Sequence, residues 1–402
     1  MSINNDLVFN EIPFAKTLIN ESISYGIVQP GAERVENSVP VIRVNNFENG
    51  KINTNNIKRV ASEIEKKYSK TRLKGGELLI TVVGTVGATA IATDEMNGWN
   101  VARAVSVAKI KESYNVKYIK YCFKNRDVIH QIYGSTNDTV QATLNLSLLK
   151  KIILSIPNRV HQDLIVNFLN AFDDKIELLQ AQNKTLETMA QTIFKEWFGK
   201  YQIGDELPEG WKVGNIYNVL DVQYGYPFKS KLFNENKEGL PLIRIRDIRK
   251  GVTGFYTTES YEEEFIISSG DVLAGMDAIF QPYLWSGGKG LLNQRACRFI
   301  PKDFASRIFV FEFMKPHLSF YEKTKVGTTV IHLGKGDLDF IETVIPDKES
   351  LLKFKELSTP IEEKIINNQQ EIQSLIKTRD TLLPKLMSGQ VRVKNLKQTA
   401  YA

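Results

Sequence analysis

Residues 165–197 read IVNFLNAFDDKIELLQAQNKTLETMAQTIFKEW, and residues 354–386 read FKELSTPIEEKIINNQQEIQSLIKTRDTLLPKL. In the first stretch Ile165, Phe168, Phe172, Ile176, Leu179, Asn183, Leu186, Ala190, Ile193 and Trp197 follow one another in steps of three and four. Adding 189 to each number gives Phe354, Leu357, Ile361, Ile365, Asn368, Ile372, Leu375, Arg379, Leu382 and Leu386, so one stripe is written twice. Alternating steps of three and four hold apolar side chains on one face of a helix, and their persistence over this length marks a coiled-coil seam. At 1.5 Å per residue, each predicted helix is about 50 Å long. If the two run antiparallel with Asn183 opposite Asn368, facing positions sum to 551. Ile176 then meets Leu375, Leu179 meets Ile372, Leu186 meets Ile365, and Trp197 meets Phe354. A buried Asn pair fixes register at some cost in stability. One position fits badly: Arg379 would face Phe172.

The duplication extends outward from the helices. PVIRVN at 40–45, followed by Gly50, recurs as PLIRIR at 241–246, followed by Gly251. GELL at 76–79 matches GDVL at 270–273, and Gly134-Ser-Thr matches Gly327-Thr-Thr. Ile156-Pro157 matches Ile345-Pro346. The offset shrinks from 201 to 189 along the chain, as expected of two copies that differ by loop deletions. Each copy opens with a strand-rich stretch punctuated by glycines, in which Glu77–Val83 and Val272–Gly275 read as buried strands. The predicted fold is α+β: two strand-rich domains, 1–157 and 204–346, alternating with long helices in 158–203 and 347–402 that pair as an antiparallel coiled coil.

Composition narrows the function classes. With 402 residues, 42% hydrophobic and 24% charged, the chain has the make-up of a soluble globular protein of several units. No apolar run is long enough for a membrane span and no secretory signal opens the chain, so a cytoplasmic protein without membrane contact is expected. Cys122 and Cys297 read as lone buried thiols. Over 161–200 and 351–390 eleven acids face ten bases, a net of −1, so the remainder carries +7 of the overall +6. That excess suits a polyanionic partner.

A search for chemistry returns little. There is no phosphate-cradling loop, dinucleotide fingerprint or adenine-methyltransferase tetrapeptide, and His130, His161, His317 and His332 are too scattered to suggest a zinc site. What recurs is a basic, turn-rich pattern: Arg43 and its counterpart Arg244 in apolar strands, with Lys229 and Lys231 after Tyr224-Gly225-Tyr226-Pro227 and Arg34 in the matching loop of the first copy. Arginine grips phosphates and reads guanine edges, so such loops suit duplex DNA, although a repeated arginine is as readily structural.

Thr378–Gly389, with the sequence TRDTLLPKLMSG, is similar to the C-terminal signature of the specificity subunits of type I restriction–modification enzymes. Asn100-Val101-Ala102-Arg103 and Leu292–Arg298 resemble that family's motifs late in each recognition domain, and Gly327–Leu333 resembles its closing turn. The resemblance spans essentially the whole chain. It implies that each strand-rich domain is a target-recognition domain reading one half of a split, asymmetric DNA site, with the paired helices setting the distance between halves. It also implies two methyltransferase subunits as partners, which bring S-adenosylmethionine and methylate adenine N6. Motor–nuclease subunits using ATP and Mg can join them. The chain itself would hold no cofactor or metal and have no catalytic activity. DNA-contacting candidates are Gln29, Arg34, Thr85 and Arg103 in the first copy, and Lys229, Asp277, Phe280, Gln281, Trp285 and Arg295 in the second. Phe280 and Trp285 read somewhat more readily as core aromatics than as DNA contacts, and the turn at Thr85 equally as a plain hairpin. A coiled-coil scaffold with two protein-binding domains is the rival reading, and a standalone nuclease or modification enzyme a third.

Overall fold

The computed structural model describes residues 8–33, 35–134, 143–324 and 331–393. Arg34 and most of both Gly-Ser/Thr-Thr turns lie outside the described residues. The chain divides into two compact units, Met1–Asp174 with Ile376–Ala402, and Lys175–Leu375. The division cuts both long helices, Arg159–Phe198 and Lys348–Met387, so each unit owns part of each.

The two helices start alike. Ile156-Pro157 and Ile345-Pro346 end short strands, since the residue before proline disfavours the helical region. The next residue caps the helix. Asn158 Oδ1 accepts from the His161 amide at 3.1 Å, and Asp347 Oδ1 from the Ser350 amide at 2.9 Å. Asp347 also receives the Trp211 indole N–H at 2.9 Å.

In the first unit a four-stranded antiparallel sheet runs in the order Leu18–Tyr25, Val105–Ile110, Leu78–Thr81, Thr89–Ile91. In the second unit Leu220–Tyr224, Ala296–Pro301, Val272–Gly275 and Pro282–Leu284 occupy the same order. Leu78–Thr81 and Val272–Gly275 are buried along their whole length, which is why they read as continuous apolar runs between glycines. Each unit adds a parallel pair, with Ile42 beside Val101 in one and Ile243 beside Leu292 in the other. The repeated arginines follow these strands with their backbone amides tied down. The Arg43 amide donates to Asn46 Oδ1 at 2.9 Å, and the Arg244 amide to Asp247 Oδ2 at 3.1 Å. The Arg244 guanidinium also pairs with Asp247 at 2.9 Å and lies 3.7 Å from the Phe255 ring centre.

The helix seam is built into both cores. In the first unit Ile165, Val166 and Leu169 join Leu383, Leu386 and Met387 against the sheet and the helix Val116–Cys122. In the second unit Trp197 and Phe354 rings lie 6.0 Å apart, Lys175 pairs with Glu371 at 3.3 Å, and Asn368 Nδ2 donates to Asn183 Oδ1 at 2.9 Å. These contacts run in opposite senses along the two helices, an antiparallel pair. Ile176, Leu179, Asn183, Ile365 and Asn368 are buried, while Leu186, Ile372 and Leu375 are at least partly covered. Asn183 Nδ2 also reaches the Ile365 carbonyl at 3.3 Å.

Arg379 corrects the expected contact with Phe172. Its guanidinium turns to the neighbouring carboxylate, Asp173, at 2.5 Å, while Phe172 packs edge-on against Phe168. A charge at a seam position finds an ion pair one residue away at lower cost than an aromatic face.

The asparagine layer carries a prediction. Asn183→Leu removes the acceptor of a buried amide and is expected to cost about 1–3 kcal/mol. Changing both residues to leucine recovers that loss, since the unpartnered Asn368 Oδ1 goes with it, but loosens the register. Urea denaturation of the single and double variants checks this; a neutral single change would refute it.

Candidate nucleic-acid interface

In both units backbone hydrogen bonds draw distant loops to one edge. In the first, the Ile27 amide donates to the Val101 carbonyl and the Arg103 amide to the Ile27 carbonyl, each at 2.8 Å. The turn then continues to the next loop: Val82 donates to the Ala104 carbonyl and Leu144 to the Val82 carbonyl, again at 2.8 Å. In the second unit the Tyr226 amide donates to the Leu292 carbonyl at 3.0 Å, and Gln294 to the Tyr226 carbonyl at 2.9 Å. Met276 donates to the Arg295 carbonyl and Leu333 to the Met276 carbonyl, each at 2.8 Å. Glycine permits the close approach on which this weave depends. A Cβ on Gly26 would sit 1.9 Å from the Val101 carbonyl oxygen, and one on Gly225 2.0 Å from that of Asn293.

The weave defines structural equivalents that spacing alone misplaces. Arg103 corresponds to Gln294, and Ala104 to Arg295, so the two candidate arginines stand one position apart. The bridge between Val83 and Thr143 corresponds to that between Asp277 and His332, and Gly84 to Ala278. The scaffold is shared and its side chains differ.

Several sequence candidates converge on these edges. Gln29, two residues beyond Ile27, is exposed, as are Arg103 and Thr85. Thr85 tips a hairpin turn between paired strands, closed by the Thr81 hydroxyl donating to the Thr85 carbonyl. Lys229 is exposed on the loop that follows Tyr226. Its amide donates to Glu259 Oε2 at 2.7 Å, and its amine lies 3.7 Å from the other oxygen of that buried carboxylate. Asp277 and Arg295 meet at 3.3 Å. Gln281 is half-buried, its amide 3.5 Å from Glu322.

Phe280 and Trp285 require a correction. Phe280 is fully buried in the main core of the second unit, and Trp285 is buried beside Ile243 and Leu273 with its indole N–H donating to the Gly288 carbonyl at 2.8 Å. Their rings shape the loop from below and have no face left for a base. Sequence reading also passed over three exposed loop-edge residues, Tyr226, Gln294 and His332. The signal for His332 was its position 189 beyond Thr143, inside the second closing turn. Among the described residues no group of three His, Cys, Asp or Glu could hold a metal ion, and no helix is long and apolar enough to cross a membrane.

A family model described as the type I restriction modification DNA specificity domain matches residues 26–188 and again 208–386. The chain belongs to this family of type I restriction–modification specificity subunits, whose members recognise DNA sequence and are themselves non-catalytic. The specificity subunit of the type I restriction enzyme MjaIX from Methanocaldococcus jannaschii is 27% identical over 366 residues, covering 84% of this chain and 83% of that one. The EcoBI specificity subunit from Escherichia coli is 30% identical over 193 residues, 48% of this chain and 36% of its own length. The crystal structure of a type I restriction–modification S subunit from M. genitalium shares the fold, with a TM-score of 0.54 at 13% identity over 96% of this chain and 98% of that one.

Proposed function

We propose that the chain reads a bipartite, asymmetric DNA site, domain 1–157 recognising one half and domain 204–346 the other. It directs two methyltransferase subunits to adenine N6 within that site. S-adenosylmethionine belongs to those partners, and ATP and Mg to any motor–nuclease subunits that join them. The chain works in the cytoplasm and contributes recognition without a catalytic step of its own. The supporting observation is the duplicated loop weave, one backbone scaffold carrying different exposed side chains in each unit. A reader needs that combination, because the scaffold presents side chains to a groove and the side chains choose the bases.

Exchanging residues 1–155 for the equivalent part of a relative should replace one half of the methylated site and leave the other half and its order intact. Mapping methylated sites genome-wide reads this out. If both halves changed together, the two-reader assignment would fall. A protein-binding scaffold would instead show no DNA affinity that falls steeply with salt.

A further inference from the structure

Asp277, Arg295 and His332 come from three separate loops of the second unit and meet at its loop edge. Arg295 Nη1 lies 3.3 Å from Asp277 Oδ1 and 3.1 Å from His332 Nδ1, and His332 Nδ1 lies 2.5 Å from the same Asp277 oxygen. With a proton on Nδ1 the imidazole donates to Asp277; without one it accepts from Arg295. In either tautomer the three groups are tied together. We propose that this trio is the base-reading device of the second recognition domain, with Asp277 and His332 holding Arg295 to read a guanine in the major groove. The proposal rests on the DNA-reading function above and names the base and the residues for one of its half-sites.

Three observations carry it. The first is the direction of the free donors. Among the described residues Arg295 makes its side-chain contacts through Nη1, which turns the Nη2 and Nε edge toward a ligand, and the side chain is 57% exposed. A planar fork held along one edge offers two parallel donors on another, the geometry that guanine O6 and N7 accept.

The second is backbone strain. Arg295 has φ +69° and Ala278, beside Asp277, has φ +62°, a region that residues with a Cβ rarely occupy. An exposed ion pair returns little stability for such a conformation. Strain of this kind persists where the surrounding structure enforces it, and it gathers at functional sites. Here the enforcing bonds run from Met276 to Arg295 and from Ala278 to Ile331, at 2.8 and 2.9 Å.

The third is the comparison between units. The same weave in the first unit places Val83, Ala104 and Thr143 at the corresponding positions, and Gly84 takes the left-handed place of Ala278. The scaffold therefore forms without any ionic trio, so the trio is not what holds the loops together. It is a property of the second unit's readout. The neighbouring Tyr226–Lys229 loop, tied to the same turn through Gln294, adds an exposed amine suited to a flanking phosphate.

The test uses the full chain assembled with its methyltransferase partners, and the readout is the genome-wide map of methylated sites. Arg295→Gly removes the fork while relieving the left-handed backbone, so loss of folding cannot imitate the result; Arg295→Lys keeps the charge without the fork. Both should relax one required G·C pair in the second half-site, lowering discrimination there roughly 5- to 150-fold. The first half-site should stay unchanged. Asp277→Asn and His332→Ala should relax the same pair to a smaller degree. Uniform weakening at all positions would make Arg295 a phosphate contact and overturn the proposal, as would an unchanged map. A wild-type assembly that methylated without sequence preference would overturn the reading function itself, so the two failures are distinguishable.

Discussion

Phe354→Ala is expected to lower the stability of the second unit by about 3–5 kcal/mol, the largest single effect foreseen for this chain. Phe354 is 1% exposed, and its ring centre lies 5.1 Å from that of Phe198, 6.0 Å from Trp197 and 6.2 Å from both Phe194 and Phe309. The cluster joins the end of one long helix, the start of the other and the helix Arg307–Thr324. Truncation leaves a cavity that three rigid elements cannot close, so the transfer loss and the cavity cost add. Edge-to-face ring contacts vanish with it. Phe354→Leu refills most of the volume and should cost less than half as much. Urea denaturation followed by tryptophan fluorescence, with Trp197 and Trp211 as reporters in this unit, measures both. A loss below about 1 kcal/mol for the alanine variant would show that the aromatic cluster does not anchor the helices.

Asp173→Ala is expected to cost about 2–3 kcal/mol, somewhat below the usual figure for breaking a buried pair. Arg379 is only 16% exposed and bonds Asp173 at 2.5 Å, but it keeps Asp380 at 2.8 Å as a second carboxylate. The Tyr121 hydroxyl, which donates to Asp173 at 2.6 Å, falls back on Asn170 at 3.1 Å. The same pair makes the first unit sensitive to acid. Burial opposes the charge on Asp173, yet the Tyr121 hydroxyl and the Arg379 guanidinium, followed by the charges of Lys124 and Arg379, outweigh it and hold the carboxyl below its ordinary value. A depressed folded value means that the stabilisation is complete above the unfolded value of about 4 and is lost as pH falls through the lower folded one. Wild type should therefore lose stability below about pH 4 more steeply than Asp173→Asn. Thermal unfolding from pH 3 to pH 7 separates the two, and parallel curves would exclude this pair as the cause.

The exposure of several loop candidates was legible because it follows from what precedes each loop. Gln29, Thr85 and Arg103 sit just beyond matched strands, and a turn that leaves a buried strand must surface. Lys229 and Arg295 follow the same logic. Phe280 and Trp285 did not, since an aromatic on a loop can point either way. Only the space beneath the loop decides, and here that space is core.

The sequence by itself determined the duplication, the two long helices, the strand-rich composition of each copy and the placement of Asn183 opposite Asn368. These are periodic or repeated properties, read from residues close in sequence or copied at a constant offset. Tertiary structure alone decided that Arg379 turns to Asp173, that Arg103 and Arg295 stand one position apart, and that Asp277, Arg295 and His332 form one group. The members of that trio are separated by 18, 37 and 55 residues. They meet because backbone amides and carbonyls of non-adjacent loops satisfy one another, and that closure depends on how the chain packs, which no local pattern records.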